Sequence, residues 1–136
     1  MKRVVVFGIF DGVHEGHRSL FAQARKHGDE LIVIVGRDSA SKKWKGKKPK
    51  HSEEMRQDLV SKEKQVDHAV LGDEQQSAYL VLEELNPDVI CLGYDQNALE
   101  RDLRTWMSQK GKDITLLRLQ PFKPETHHNS SARIRF

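Results

Sequence analysis

The stretch Phe7-Gly8-Ile9-Phe10-Asp11-Gly12-Val13-His14-Glu15-Gly16-His17 decides how the rest of the chain is read. Val4-Val5-Val6-Phe7 leads into it, an apolar, β-branched run suited to a buried strand. Arg18 to His27 follows it, with Leu20, Phe21 and Ala24 at helical spacing and Gly28 placed to close the helix. The stretch therefore predicts a strand–loop–helix turn. Such a turn aims backbone N–H groups over a helix N-terminus, where anions are favoured. Gly8, Gly12 and Gly16 allow close approach of a ligand to the backbone. His14 and His17 stand at the first helical turn and can face one anion, as donors when protonated.

Outward from this turn, strands and helices alternate. Leu31 to Val35 is a continuous apolar run, as expected of a strand covered on both faces. Gly36-Arg37-Asp38-Ser39 ends it. Lys42-Lys43-Trp44-Lys45-Gly46-Lys47-Lys48-Pro49-Lys50 is the densest charge run and predicts a solvated loop. Ser52-Glu53-Glu54 opens a helix reaching about Lys64, with Ser52 as N-cap. Ala69 to Gly72 predicts a short strand, Ser77 to Leu85 a helix stopped by Asn86-Pro87, and Asp88 to Gly93 another strand. Leu99 to Lys110 predicts a helix with Leu99, Leu103, Trp106 and Met107 on one face, closed by Gly111. Ile114 to Leu119 is the last strand, Pro121 to His128 a loop, and Ser130 to Phe136 a final short helix. The alternation predicts an α/β fold: one doubly wound, Rossmann-like domain over residues 1–136 with a five-stranded parallel sheet. Ligands of such sheets bind beyond the C-terminal strand ends, so the loops there are the ones to search, the Gly72-Asp73-Glu74 corner among them.

Composition narrows the function classes. Charged residues make up 32% of the 136 residues, and mean hydropathy is −0.68. No apolar run approaches the ~20 residues of a membrane span, and no signal-peptide core precedes the first strand. A single cysteine, Cys91, excludes an internal disulfide and suits a cytoplasmic protein. Net charge is +3, concentrated in the lysine run, which fits an anionic ligand. Nucleic acid fits less well, because Trp44 is the one aromatic among those lysines. A homodimer is left open.

Gly8, Phe10, Asp11, His14, Gly16 and His17 together match a known pattern. The stretch resembles the G-x-F-D-x-x-H-x-G-H signature of the cytidylyltransferase-like nucleotidyltransferases. Ser130-Ser131-Ala132-Arg133-Ile134-Arg135 resembles their I-S-[ST]-[ST]-x-[IL]-[RK] segment, with Asn129 and Ala132 as departures. The lysine run followed by Arg56 resembles the lysine-bearing segment before their E-x-R helix. Leu92-Gly93-Tyr94-Asp95-Gln96 looks most like the archaeal-type FAD synthases, with glycerol-3-phosphate cytidylyltransferases next.

The resemblance implies an enzyme that moves a nucleoside monophosphate from ATP or CTP to a phosphorylated small molecule and releases pyrophosphate. It implies His14, His17, Lys47 and Arg135 as catalytic groups. Gly8, Ile9, Phe10, Gly16, Gly93, Tyr94, Asp95, Ser130 and Ser131 would bind the nucleotide, and Lys48 and Arg56 the acceptor phosphate. Mg²⁺ would accompany the triphosphate, and Asp11 is expected to orient the turn rather than ligate metal. FMN adenylylation heads the expectations, glycerol-3-phosphate cytidylylation is the alternative, and a non-catalytic nucleotide-binding module is the alternative of another class. An isoalloxazine ring would need an aromatic wall, for which Phe10, Trp44, Tyr94, Phe122 and Phe136 are the expected sources.

Overall fold

The computed structural model describes residues 1–45, 48–75 and 77–122, with residues 42–45 described as backbone only. The chain runs β1 (Arg3–Gly8), α1 (Glu15–Arg25), β2 (Glu30–Val35), α2 (Asp38–Lys45), α3 (Glu53–Ser61), β3 (His68–Leu71), α4 (Leu80–Leu85), β4 (Val89–Leu92), α5 (Asn97–Lys110) and β5 (Thr115–Arg118). The strands form a five-stranded sheet in the order β3-β2-β1-β4-β5. Every pairing is parallel, with Val5 opposite Ile32 on one side and Ile90 on the other. The chain winds outward from β1 to β3, returns across β1, and winds outward again through β4 and β5. That reversal is the switch point at which α/β sheets open a crevice.

The apolar strands divide their side chains between two layers, as an internal parallel sheet requires. Val4, Val6, Leu31, Val33, Val35 and Cys91 pack with Leu20, Phe21 and Val60. Val5, Ile32, Ile34, Ile90 and Leu92 pack with Leu82, Leu103, Trp106 and Met107. Burial pushes the Cys91 thiol up to about 11, so it is a small apolar core residue rather than a thiolate nucleophile.

Three local expectations change. The lysine run is not wholly loop: Asp38 to Lys45 is helical. Lysine is a good helix former, and Ala40 and Ser41 are buried against the body. Gly28 does not take a left-handed conformation, and Lys26 caps α1 instead. Gly28 is required by space, because a Cβ there would lie 2.5 Å from Val4 Cγ2 and 2.7 Å from the Lys2 carbonyl. The helix expected from Ser77 starts only at Leu80, because Ser77 and Tyr79 adopt positive φ of 67° and 51°. Such values cost a non-glycine residue ~1–3 kcal/mol each and persist only where surroundings enforce them. Ser52 is the N-cap of α3 as expected, its hydroxyl accepting from Met55 N–H at 3.2 Å. Gly111 closes α5 at φ 65°.

Candidate active site at the switch point

The turn after β1 is built around a phenylalanine that points inward. Phe10 takes φ 56°, and its ring folds back beneath Gly8, where a Cβ would lie 2.4 Å from it. The ring is 1% exposed and meets His17 edge-on at 5.1 Å and Phe21 at 5.5 Å. Phe10 was expected among the nucleotide-binding residues and as a flavin wall. It is instead the buried support on which His17 rests.

His14 and His17 are brought together. Their rings stack with centroids 3.7 Å apart. His14 is the N-cap of α1 and its Nδ1 accepts Gly16 N–H at 3.1 Å, while His17 Nδ1 accepts His14 N–H at 3.2 Å. A nitrogen that accepts an N–H carries no proton, so each neutral ring bears its proton on Nε2. The capping therefore selects the tautomer, and each ring is a donor through Nε2–H without becoming cationic. It also occupies the N–H of Gly16, a residue expected to bind the nucleotide. His17 is 4% exposed and its position is fixed; His14 is exposed.

Asp11 holds the turn to the segment that follows the lysines. Its carboxylate accepts Lys50 N–H at 2.7 Å, His51 N–H at 3.0 Å and the His51 ring at 2.8 Å. Burial alone would raise its pKa, but these donors and the His51 charge outweigh that and bring it to about 2. A carboxyl depressed below its ordinary 3.8 stabilises the fold above that value, and the contribution is lost as pH falls toward about 2. Asp11→Ala should cost about 1–2 kcal/mol at neutral pH. Denaturant midpoints of variant and wild type should converge as the pH is lowered through that window, and a gap independent of pH would refute the assignment.

Arg56 corrects an expectation. It was read as an acceptor-binding cation, yet it is 0% exposed. Its Nη1 donates to the carbonyls of Ile9 at 2.9 Å and Gly36 at 2.7 Å, its Nη2 to Asp38 at 2.6 Å, and its Nε to the His51 carbonyl at 3.1 Å. The guanidinium clamps the turns after β1 and β2 to the start of α3, an arrangement that leaves no solvent face for an acceptor phosphate. Asp11 and Arg56 together set the basic segment beside the histidine turn. Lys48 lies there, exposed.

A cavity of about 180 Å³ opens on the other side of the β1 terminus. Phe7, Ile34, Tyr79, Val81 and Leu99 wall it, and Gly8, Ile9, Arg37, Asp73 and Asp95 also line it. Arg37 is fixed by Gly72 O at 2.8 Å and Glu53 at 2.9 Å. Gln96 ties the β4 loop to β1, accepting Gly93 N–H at 2.8 Å and donating to Phe7 O at 3.0 Å. Arg118 donates to the carbonyls of Gly93 and Tyr94 and pairs with Glu100. Residues after β1, β2, β3 and β4 therefore converge, but the aromatic walls are Phe7 and Tyr79, neither of which was expected. Phe7 lies inside what reads as a strand and Tyr79 inside what reads as a helix, so only the switch-point rule could have flagged Phe7. Tyr94 and Phe122 are not among the lining residues. Lys47, Ser130, Ser131, Arg135 and Phe136, and the side chain of Trp44, lie outside the described residues. Among the described residues no three His, Cys, Asp or Glu side chains converge as a metal cage. No helix among them is long and apolar enough to cross a membrane.

The comparisons with known proteins agree with this geometry. A family model described as cytidylyltransferase-like matches residues 5–135. A protein named FAD synthase from Thermoplasma acidophilum is 41% identical over 99% of this chain and 92% of its own. Another of that name from Archaeoglobus profundus is 42% identical over 98% of this chain and 84% of its own. A crystal structure titled as the lipopolysaccharide core biosynthesis protein of Thermoplasma volcanium is 37% identical, with a TM-score of 0.82, covering 90% of this chain and 99% of that one. With its paired histidines at the switch point of a five-stranded parallel sheet and a family match over nearly its whole length, the chain belongs to the cytidylyltransferase-like nucleotidyltransferases.

Proposed function

We propose that the protein is an FMN adenylyltransferase, one nucleotidyltransferase domain over residues 1–136 working in the cytoplasm. A phosphate oxygen of FMN attacks the α-phosphorus of ATP, the bond to the bridging oxygen breaks, and pyrophosphate leaves with FAD as the other product. The acceptor phosphate is already a nucleophile, so the protein's task is alignment and charge stabilisation. Nε2–H of His14 and His17 would hold triphosphate oxygens. Lys47, Lys48 and Arg135 would offset charge on the reacting phosphates, and Ser130 and Ser131 would receive the leaving ones. Gly93 to Asp95 would lie against base and ribose. Mg²⁺ belongs with the triphosphate, whose oxygens are the ligands it favours.

The observation that carries the acceptor assignment is the cavity beside the histidine turn. Phe7, Ile34, Tyr79, Val81 and Leu99 give it an apolar face that suits a flat aromatic ring, beside the polar Arg37, Asp73 and Asp95. Relatives at 41% and 42% identity that carry the name FAD synthase support it. Titrating FMN with a non-hydrolysable ATP analogue and Mg²⁺ should quench flavin fluorescence, and FMN with ATP should release pyrophosphate. Pyrophosphate from glycerol 3-phosphate and CTP, with no FMN binding, would replace this reading by the cytidylyltransferase one. Nucleotide binding without pyrophosphate from either pair would make the chain a binding module.

A further inference from the structure

The aromatic wall of the cavity is held from outside the cavity. Tyr79 presents its ring there while 7% exposed. The ring is seated edge-on against Phe7 at 6.1 Å and Trp106 at 5.5 Å. Its backbone is left-handed, as is that of Ser77 two residues earlier, and Tyr79 as N-cap gives α4 no side-chain bond. Two partners restrain this segment. Asp73 accepts Val81 N–H at 3.2 Å and so caps α4 from the end of β3. Asp102, on α5, accepts the Tyr79 hydroxyl at 2.5 Å and the Ser77 hydroxyl at 2.7 Å on the same oxygen. Asp102 is not among the cavity-lining residues, and the histidine turn leaves it without a role. Strained backbone that converges on one carboxylate beside a ligand-sized cavity calls for a functional reason.

We propose that Asp102 is a positioning residue for the acceptor: by gathering the hydroxyls of Tyr79 and Ser77 it fixes the Tyr79 ring as the cavity wall, and so sets affinity for a flat aromatic acceptor it does not touch. The inference rests on the FMN reading of that cavity. Burial, followed by the bond to Asp102, raises the Tyr79 pKa, so the phenol stays a donor throughout the working range. Without Asp102 the Tyr79 ring and its backbone are free to leave the left-handed conformation, and the flat surface is no longer preformed. The loss falls on acceptor binding, because preorganisation acts through the cost of ordering the site. Triphosphate contacts around His14 and His17 are made on the other side of the β1 terminus and are left intact.

The test compares wild type, Asp102→Ala, Asp102→Asn and Tyr79→Phe by steady-state kinetics and flavin fluorescence titration. Asp102→Ala should raise the KM and Kd for FMN about 10-fold, with kcat and the KM for ATP within about 2-fold; tenfold corresponds to about 1.4 kcal/mol. Tyr79→Phe keeps the ring and its packing but removes the hydroxyl, and should raise the FMN constants about 3-fold or more in the same direction. Asp102→Asn retains a carbonyl oxygen for both hydroxyls and should restore the FMN constants to near wild type. A role in stability alone would lower the melting temperature of Asp102→Ala without that split between FMN and ATP, and would overturn the inference. So would a Tyr79→Phe protein with unchanged FMN constants. If wild type itself neither binds FMN nor forms FAD, the acceptor reading falls and this inference with it; if wild type does both, only the variants decide.

Discussion

His17→Ala should lower turnover by ~10²-fold or more, the scale of losing one preorganised donor aimed at developing charge. The expectation rests on how firmly the ring is held. His17 is 4% exposed, stacked on His14 at 3.7 Å and set edge-on over Phe10. Its Nδ1 is engaged by His14 N–H at 3.2 Å, so its Nε2–H is placed before any substrate arrives. The same geometry gives His17 a second duty, because the ring caps the first turn of α1. Alanine should therefore also cost ~1 kcal/mol of stability, the usual worth of a capping side chain. His17→Asn separates the two duties. Its amide oxygen can take the place of Nδ1 as acceptor for His14 N–H, while its NH2 then stands at the position of Cδ2 and falls short of where Nε2–H reaches. Asparagine should recover most of the lost stability and little of the lost turnover. Pyrophosphate release gives the turnover and a denaturant melt gives the stability. Recovery of both together would mean that His17 is only a cap.

The turn itself was legible because glycine and β-branched residues leave few alternatives there. Val4 to Val6 can only be a covered strand, and the helix after Gly16 follows from the spacing of Leu20, Phe21 and Ala24. The Ser52 N-cap and the Gly111 stop were legible for the same local reason. What escaped depends on partners far along the chain. Helix α2 is hidden by its lysines, and its start is secured by Asp38 N–H on Glu53 at 2.9 Å and by Arg56 on the Asp38 carboxylate. Phe10 sits in a motif position that reads as contact with a ligand, but a positive φ turns its ring into the core. Tyr79, which the spacing puts in a helix, is held at the cavity wall by Phe7, Trp106 and Asp102, the last two 27 and 23 positions later. Arg56 was legible as a cation near the site. That its charge would be enclosed could not be read, since the carbonyls enclosing it belong to the turns after β1 and β2 and to His51 before α3.

Removing the Arg56 side chain should be the most destabilising single change in the described residues around the site. Arg56→Met keeps much of the volume and deletes every donor. The carbonyls of Ile9, Gly36 and His51 would lose their partner, and Asp38 would lose the cation that faces it at 2.6 Å. Leaving enclosed carbonyls without donors costs ~1–3 kcal/mol each, together a large share of a small domain's stability, while Asp38, whose side chain is 39% exposed, adds less. Arg56→Lys keeps the charge but not the planar fork that serves two turns at once. It should recover part of the stability while both turns shift, so the KM values for nucleotide and acceptor should rise together. A cation that touched the acceptor phosphate would behave differently. Its lysine variant would fold with wild-type stability and lose acceptor affinity alone, leaving the nucleotide KM in place. Denaturant unfolding of the two variants beside wild type, with KM measured for each substrate in Arg56→Lys, separates the two roles. The 0% exposure and four protein acceptors of Arg56 place the outcome with the clamp: strong destabilisation in methionine, partial rescue in lysine, and no selectivity for the acceptor.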